Sequence, residues 1–236
     1  MCLHGQNKPD FEISQCLIQR HWNPICTSTR PDISAAVGAL SQHMAQPSHD
    51  HWSGVRRIFR YIKGTLNFGL KFAAGDAILH GYSDADWAGD PDTRLSTSGY
   101  VFRNGDSPVS WSSKKQRTVA RSSTEAEYVA LSYAAQEGIW LRRLLSSLGI
   151  GSPEIRPTTI YEDNNGAIDL TKNSKHHNRT KHIDIAHHFV REQVELKEIS
   201  VAHCPSKYMV ADILTKGIPR VQFEKLRGAL GVGCVD

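Results

Sequence analysis

The chain has 236 residues, of which 39% are hydrophobic and 22% are charged, a composition typical of a globular protein rather than a disordered or fibrous one. Its net charge of +4 is a mild basic excess, which fits a nucleic-acid partner without establishing one. The five cysteines are scattered, so neither a disulfide framework nor a cysteine zinc site is indicated. Because the sequence has no signal-peptide pattern and no apolar run long enough to cross a bilayer, we expect an intracellular protein, cytoplasmic or nuclear, with no membrane partner.

The beginning of the chain divides into a weakly patterned segment and a helical one. Residues 1–30 show little periodicity and end in the turn-rich run NPICTSTRPD, so we expect a poorly ordered N-terminal segment there. Residues 31–70 predict a small helical unit. One helix falls in DISAAVGALSQHMAQP and a second in SHDHWSGVRRIFRYIKGT, with Pro47 between them.

Strand patterns dominate the next part of the chain. They occur in NFGLKFA, in AILHGYSDADWA and in TSGYVFRNGDSPVSWSS, where NGD predicts a hairpin turn. TVARSS is a candidate for a further strand. STEAEYVALSYAAQEGIWLRRLLSSLG then predicts a long helix that begins near a Ser or Thr cap and ends at Gly149.

The remainder of the chain alternates between strands and helices. TTIYEDN and ISVAHC predict strands, and NNGAIDLTKN, IDIAHHFVREQVELKE, YMVADILTK and VQFEKLRGAL predict helices. Strands that alternate with helices in this way predict an α/β sheet with helices on its faces.

Four acidic residues fall where these strands end or helices begin. Asp84 ends a strand, Glu127 lies in the first turns of the long helix, Asp163 ends TTIYED, and Asp212 follows the last strand. Strand ends and adjoining helix turns are the usual site for chemistry in such a sheet. Oxygen ligands without a cysteine or histidine set suit a hard cation, so the pattern predicts a site for Mg²⁺ or Mn²⁺. Two such ions would support phosphodiester hydrolysis.

Each acid also has a purely structural interpretation. Asp84 could simply end a strand before a polar turn. The negative charge of Glu127 could interact favourably with the positive N-terminal end of its helix dipole. Asp163 could cap a helix, and Asp212 could be a solvated helix acid. The recurrence of acids at strand ends and helix starts in one topological order favours the joint interpretation as a metal site.

Six ordered motifs carry a resemblance to a known family. They are YSDADWAGDPDTRLSTSGYVF, SWSSKKQ, RSSTEAEYVAL, EDNNGAI, TKHIDIAHHFVRE and MVADILTK. Together they resemble the ribonuclease H domain at the C-terminal end of the Pol polyprotein of copia-type LTR retrotransposons. The segment TRPDISAAVGALSQHMAQPSHDHWSGVRRIFRYIKGT resembles the region that follows the reverse transcriptase catalytic region in the same polyprotein.

The resemblance implies an α/β, ribonuclease H-like fold in residues 71–232, with a mixed five-stranded sheet flanked by helices and preceded by the small helical segment. It implies a ribonuclease that cuts the RNA strand of RNA–DNA hybrids with two Mg²⁺ or Mn²⁺ ions and no small-molecule cofactor. The implied partners are the hybrid and the reverse transcriptase portion of Pol. We expect little sequence preference, because A-like duplexes are recognised by backbone shape and 2′-hydroxyls.

The family's Asp-Glu-Asp-Asp metal set carries over to Asp84, Glu127, Asp163 and Asp212, as catalytic and metal-binding residues. Asp86 lies two residues after Asp84, so in a continued strand its side chain points to the same face of the sheet. It is either a group that supports the metal ligands or an acidic residue of the following turn.

His203 precedes Asp212 by nine residues. Cellular and retroviral ribonucleases H carry a histidine one position further from their last aspartate, with a role in proton transfer or product release. The resemblance implies a catalytic role for His203, with a surface histidine as the alternative.

Two basic segments are candidates for nucleic-acid binding. The first lies where other ribonucleases H bind the DNA strand of a hybrid, and comprises Lys172, Lys175, Arg179, Lys181 and Arg191. The second comprises Lys114, Lys115, Arg117 and Arg121. A solvated charged surface is the alternative for both. The histidines near the first segment lack a cysteine partner, which disfavours a zinc site at His176, His177, His182, His187 and His188.

The sequence lacks a YxDD polymerase motif, an aspartic protease motif and an integrase-type His-His-Cys-Cys arrangement. Two alternatives to the ribonuclease remain open. One is a retrotransposon remnant that keeps the fold and binds nucleic acid without cleaving it. The other is a transposase or integrase core of the same fold, against which Glu127 on the first long helix argues.

Overall fold

A computed structural model of the chain describes residues 23–73, 78–150, 156–172 and 181–235, without the side chains of residues 23–24 and 181–187. The predictions for residues 1–22 and for Lys175, Arg179 and the side chain of Lys181 therefore lie outside the described residues, as do those for four of the five histidines near them.

A mixed sheet of five strands forms the centre of the structure, as predicted. Its strands, in chain order, are β2 (Leu79–Ala85), β3 (Thr97–Asn104), β4 (Ser107–Lys115), β5 (Thr158–Glu162) and β6 (Ile199–His203). The order across the sheet is β4-β3-β2-β5-β6. The first three strands are antiparallel neighbours, whereas β5 and β6 run parallel to β2. The predicted hairpin joins β3 to β4 and places Gly105 at a φ of 59°, where glycine is favoured.

Seven α-helices occur in the described parts of the chain. They are α1 (Asn23–Ser28), α2 (Ser34–Ser41), α3 (His49–Lys63), α4 (Ser123–Ser147), α5 (Asn165–Lys172), α6 (Lys181–Glu195) and α7 (Arg220–Ala229). The long helix α4 begins at the predicted cap, because the Ser122 hydroxyl accepts a hydrogen bond from the Glu125 N–H at 3.2 Å. No helix within the described ranges is long and apolar enough to span a bilayer.

The two faces of the sheet bury different partners. On one face Phe102, Ile160 and Ile199 pack against Tyr128 and Leu131 of α4. On the other face, Tyr82, Val101 and Tyr161 contact the chain segment around residues 209–214. Because side chains alternate along a strand, this division assigns every other strand residue to the α4 face.

The helical unit has its own core, in which Cys26 of α1 packs with Ile33, Val37, Val55 and Ile58. Within the first 30 residues, for which we expected a poorly ordered segment, Asn23–Ser28 form a helix that packs into this core through Cys26. A second small sheet pairs β1 (Phe68–Leu70) with β7 (Val232–Cys234), so the two ends of the predicted ribonuclease H-like region meet.

One local prediction is wrong, because TVARSS forms no strand. YMVADILTK is helical as predicted, but its helix is a 3₁₀ helix, Val210–Leu214, which follows a shorter 3₁₀ helix, Ser206–Tyr208. The second 3₁₀ helix lies against β3 at Gly99, where a Cβ atom would come within 2.6 Å of Thr215 Cγ2 and 2.9 Å of Leu214 Cβ. A glycine at this position therefore lets the segment that carries Asp212 approach the sheet closely.

Candidate metal centre

The four predicted acids come from four different elements that meet at one edge of the sheet. Asp84 is the last residue but one of β2, and Asp163 follows the end of β5. Since β2 and β5 are parallel neighbours, their carboxyl ends lie at the same edge. Glu127 lies in the second turn of α4, and Asp212 lies in the second 3₁₀ helix.

The first carboxylate group consists of Asp84, Asp163 and Asp212, whose oxygens lie within 4.8 Å of one another. The Asp84 side chain is fully buried and accepts a hydrogen bond from the Thr215 hydroxyl through Oδ2. Oδ2 of Asp163 accepts one from the Ser206 hydroxyl at 2.7 Å. Three acids so close repel one another when ionised, and cation binding would relieve that repulsion.

Lys216 is the basic side chain of this group. Its ammonium lies 2.8 Å from Oδ1 of Asp212 and 3.4 Å from Oδ1 of Asp84, and 39% of its side chain is exposed. Partial burial lowers the pKa of Lys216, but the charges of Asp84 and Asp212 outweigh it and raise that pKa above its ordinary value. For Asp212, burial and the charge of Asp84 raise the pKa to about 6 despite Lys216. Lys216 therefore offsets part of the repulsion in the metal-free protein.

The second carboxylate group consists of Glu127, Glu162 and Asp163, again with oxygens within 4.8 Å of one another. Oε2 of Glu127 accepts a hydrogen bond of 2.7 Å from the backbone N–H of Ala85. Burial, and next the charges of Glu162 and Asp84, raise the pKa of Glu127 to about 11. Burial also raises the pKa of Glu162 well above its ordinary value. Asp163 belongs to both groups, which joins them into one centre of five acids.

Sequence reasoning missed Glu162, Thr215 and Lys216. Glu162 lies two residues after Ile160 in β5, so its side chain lies on the same face of the sheet, the α4 face, beside Glu127. This alternation of strand side chains could have identified Glu162 from the sequence. Lys216 follows Asp212 by four residues, the spacing at which side chains meet on one face of a helical turn. Nothing in the local sequence singles out the Thr215 hydroxyl, because its contact with Asp84 spans 131 positions.

The structure also bears on the alternative that Asp163 caps a helix. Asn164 is the residue that caps α5, because its Oδ1 accepts a hydrogen bond of 3.0 Å from the N–H of Ala167. The carboxylate of Asp163 is directed instead to Ser206 and to the acid groups.

Asp86 and His203 lie near the centre but belong to neither acid group of the described residues. Oδ1 of Asp86 accepts a hydrogen bond from the N–H of Thr97, which closes the loop between β2 and β3. His203 is exposed at the end of β6, where it is the register partner of Glu162. The catalytic role of His203 therefore remains a prediction from the sequence.

The basic residues of the second candidate segment differ in their surroundings. Lys114, Arg117 and Arg121 are exposed, whereas Lys115 pairs with Asp90 and also donates a hydrogen bond of 2.6 Å to Oε1 of Gln42. From the first segment Lys172 is exposed at the end of α5, and Arg191 lies partly buried on α6. Lys115 is thus less available to a nucleic acid than its neighbours.

The strand order, the strand directions and the long helix across the sheet define a ribonuclease H-like fold. No family model matches the chain. A retrovirus-related Pol polyprotein from transposon TNT 1-94 of Nicotiana tabacum is 45% identical over 204 residues, which are 86% of this chain and 15% of that protein. The one from transposon RE2 of Arabidopsis thaliana is 46% identical over 205 residues, 86% of this chain and 14% of that protein. The chain belongs to the Pol polyproteins of copia-type retrotransposons, and it spans about 15% of the length of these relatives.

Two further comparisons cover less of the chain. A stretch of 114 residues is 59% identical to secreted RxLR effector protein 161 of Plasmopara viticola, over 48% of this chain and 80% of that protein. The crystal structure of RNase H1 from Halobacterium salinarum NRC-1 is similar at 18% identity and a TM-score of 0.41, over 58% of this chain and 93% of that one.

Proposed function

We propose that this chain is the ribonuclease H of a retrotransposon Pol polyprotein, and that it hydrolyses the RNA strand of RNA–DNA hybrids with two Mg²⁺ or Mn²⁺ ions. The observation that carries the proposal is the pair of carboxylate groups that share Asp163 at the carboxyl ends of β2 and β5. Ends of central strands are where α/β sheets place their chemistry.

The donor set fits divalent hard cations. The candidate ligands in the two groups are all carboxylates, which Mg²⁺ and Mn²⁺ prefer, and the ammonium of Lys216 lies beside two of them. Asp84, Asp163 and Asp212 would hold one cation, and Glu127 with Asp163 would take part in holding the other. When bound, such cations supply positive charge that stabilises negative charge developing on the phosphodiester and helps to activate water.

The chain's own residues orient these carboxylates. The Thr215 and Ser206 hydroxyls and the Ala85 N–H each donate a hydrogen bond to one carboxylate oxygen, which restricts the rotation of that carboxylate. Because these donors belong to the 3₁₀ segments and to β2, the acids keep their positions relative to the sheet edge.

For the substrate we propose an RNA–DNA hybrid that is bound mainly through its backbone. Lys114, Arg117 and Lys172 are exposed and available for phosphate contacts. Residues 71–232 would form the catalytic unit, and the reverse transcriptase portion of Pol would be its partner within the polyprotein.

The experiment is a gel assay of the purified chain on a labelled RNA–DNA hybrid, with Mg²⁺ and with EDTA. We expect cleavage that needs the metal and is abolished by Asp84→Asn and by Asp163→Asn, because each change removes a charged ligand and keeps the side-chain shape. Asp169→Asn, which neutralises an exposed acid on α5, is the matched control and should cleave as the parent does. A parent chain that shifts the hybrid on a gel but cleaves none with Mg²⁺ or Mn²⁺ would refute the nuclease and support the remnant.

A further inference from the structure

We propose that Glu162 is a fifth carboxylate ligand of this centre, and that it binds the second cation together with Glu127 and Asp163. The inference rests on the proposed function for its metal ions, and it adds a ligand to the Asp-Glu-Asp-Asp set. It depends on three observations of the described residues: the burial of Glu162, its hydrogen bonds and its neighbours.

The first two observations concern the carboxylate itself. Glu162 is the last residue of β5 and is 0% exposed. Its Oε1 accepts a hydrogen bond of 3.3 Å from the Asn164 N–H, whereas its buried Oε2 receives none from an N–H group or a hydroxyl in the described part of the chain. Burying a carboxylate oxygen in this way is costly, and the remaining neighbour of the Glu162 carboxyl is the carboxyl of Glu127, which competes for the same cation.

The third observation is the set of neighbours. Oxygens of Glu127 and Asp163 lie within 4.8 Å of the Glu162 oxygen, so the side chain points into a group of acids. In the first group, Lys216 pairs with Asp84 and Asp212 and offsets their charge. In the second group no lysine or arginine of the described residues forms an ion pair with Glu127 or Glu162. Backbone N–H groups of Ala85 and Asn164 donate to these two acids, whose carboxyl groups also contact each other.

The first group has a basic partner and the second has none within the described ranges, and this difference favours a metal ligand over a structural residue at position 162. A glutamine at position 162 would fill the same space and carry no charge, so a glutamate there makes the metal-free fold less favourable without improving its packing. A divalent cation between Glu127, Glu162 and Asp163 would supply both the partner for Oε2 and the missing positive charge. The competing explanation is a protonated Glu162 that serves only as a packing and hydrogen-bonding partner of Glu127.

The two explanations predict different metal binding by Glu162→Gln. The experiment is a titration of the metal-free full chain with Mn²⁺ alone. Calorimetry measures the heat of binding, and the electron paramagnetic resonance signal measures the free Mn²⁺. We expect two ions for the parent, and for Glu162→Gln a loss of at least tenfold in affinity at one site while the other is kept. Glu162→Asp keeps the charge but shortens the reach, and should fall between the two. Glu125→Gln removes an acid two residues from Glu127 that accepts a hydrogen bond from the Arg121 N–H, and is the control.

Thermal unfolding supplies a second measurement. In EDTA, Glu162→Gln should melt at the temperature of the parent or above it, and with Mn²⁺ it should gain less than the parent does. Parent-like Mn²⁺ binding by Glu162→Gln would overturn the inference. Failure of both Glu162 variants to fold in EDTA would overturn it too, since a residue kept for metal binding is not required by the metal-free fold.

The outcomes also separate this inference from the proposed function. A parent that binds two Mn²⁺ ions and cleaves no hybrid contradicts the nuclease, while the Glu162 variants still decide the ligand. A parent that cleaves hybrid, with a Glu162→Gln variant that binds Mn²⁺ as the parent does, contradicts the ligand alone. A parent that binds no Mn²⁺ contradicts both.

Discussion

Lys216 should be a determinant of stability in the metal-free protein. Its ammonium lies 2.8 Å from Asp212 and 3.4 Å from Asp84, both of which are buried. Replacing it by methionine keeps most of the side-chain length but leaves two neighbouring carboxylates without their counter-charge. We therefore expect Lys216→Met to destabilise the fold in EDTA, and to do so much less when Mg²⁺ is present.

The magnitude follows from the geometry. Two unit charges about 4 Å apart attract by about 4 kcal/mol at the effective dielectric constant of a protein surface. Because 39% of the Lys216 side chain is exposed, solvent screening reduces this value, and we expect a loss of about 2 kcal/mol. For a chain of this size that loss lowers the melting temperature by about 4–8 °C.

The assay is thermal unfolding of parent and variant in EDTA and in millimolar Mg²⁺. Lys225→Met, which removes an exposed ammonium over the Tyr208 ring, is the control and should change little. If Lys216→Met melts with the parent in EDTA, then the repulsion between the acids is not what Lys216 offsets. An equal loss in EDTA and in Mg²⁺ would show that a bound cation does not replace the lysine, which also refutes the reasoning.

Three further predictions concern pH, packing and binding. In EDTA the parent should lose stability relative to Asp212→Asn as the pH rises from about 4 to about 6. The reason is that the folded Asp212, with a pKa of about 6, keeps its proton where the unfolded chain, with an ordinary value of 3.8, has released it; denaturant titrations with parallel pH profiles would disprove this. Gly99→Ala should cost about 1–3 kcal/mol by forcing the second 3₁₀ helix off the sheet, whereas Gly38→Ala, whose Cβ meets nothing within 4 Å in the described structure, should not destabilise; equal melting temperatures would contradict it. Replacing both Lys114 and Arg117 by alanine should weaken hybrid binding, measured by fluorescence anisotropy, and should reduce the slope of its salt dependence by about one per lost contact. Unchanged binding would show that both residues belong to a solvated surface that does not contact the hybrid.

Local patterns were sufficient to predict most of the elements. Asp84 and Glu127 stand at a strand end and a helix start that short-range alternation and capping signals identify. The β3–β4 hairpin follows from a turn at Gly105 between two strand-like runs. These predictions succeeded because the signal for each lies within a few residues of the element itself.

The features that the sequence did not predict depend on contacts between distant parts of the chain. The Asp212 segment has a helical pattern, but its close approach to the sheet at Gly99 accompanies a 3₁₀ geometry. The pairing of β1 with β7 joins Leu70 to Val232, a separation that no local window detects. Strand alternation places Glu162 on the α4 face, but only the folded chain brings its carboxyl oxygen within 4.8 Å of those of Glu127 and Asp163.

The most direct test of the central claim is a strand-resolved cleavage assay on a hybrid whose RNA and DNA strands carry different labels. We predict that the parent chain in Mg²⁺ cuts the RNA strand alone, leaves 3′-hydroxyl and 5′-phosphate ends, and stops when EDTA is added. Cleavage of the DNA strand, cleavage that persists in EDTA, or intact strands in both Mg²⁺ and Mn²⁺ would contradict the claim that these acids form a ribonuclease H centre.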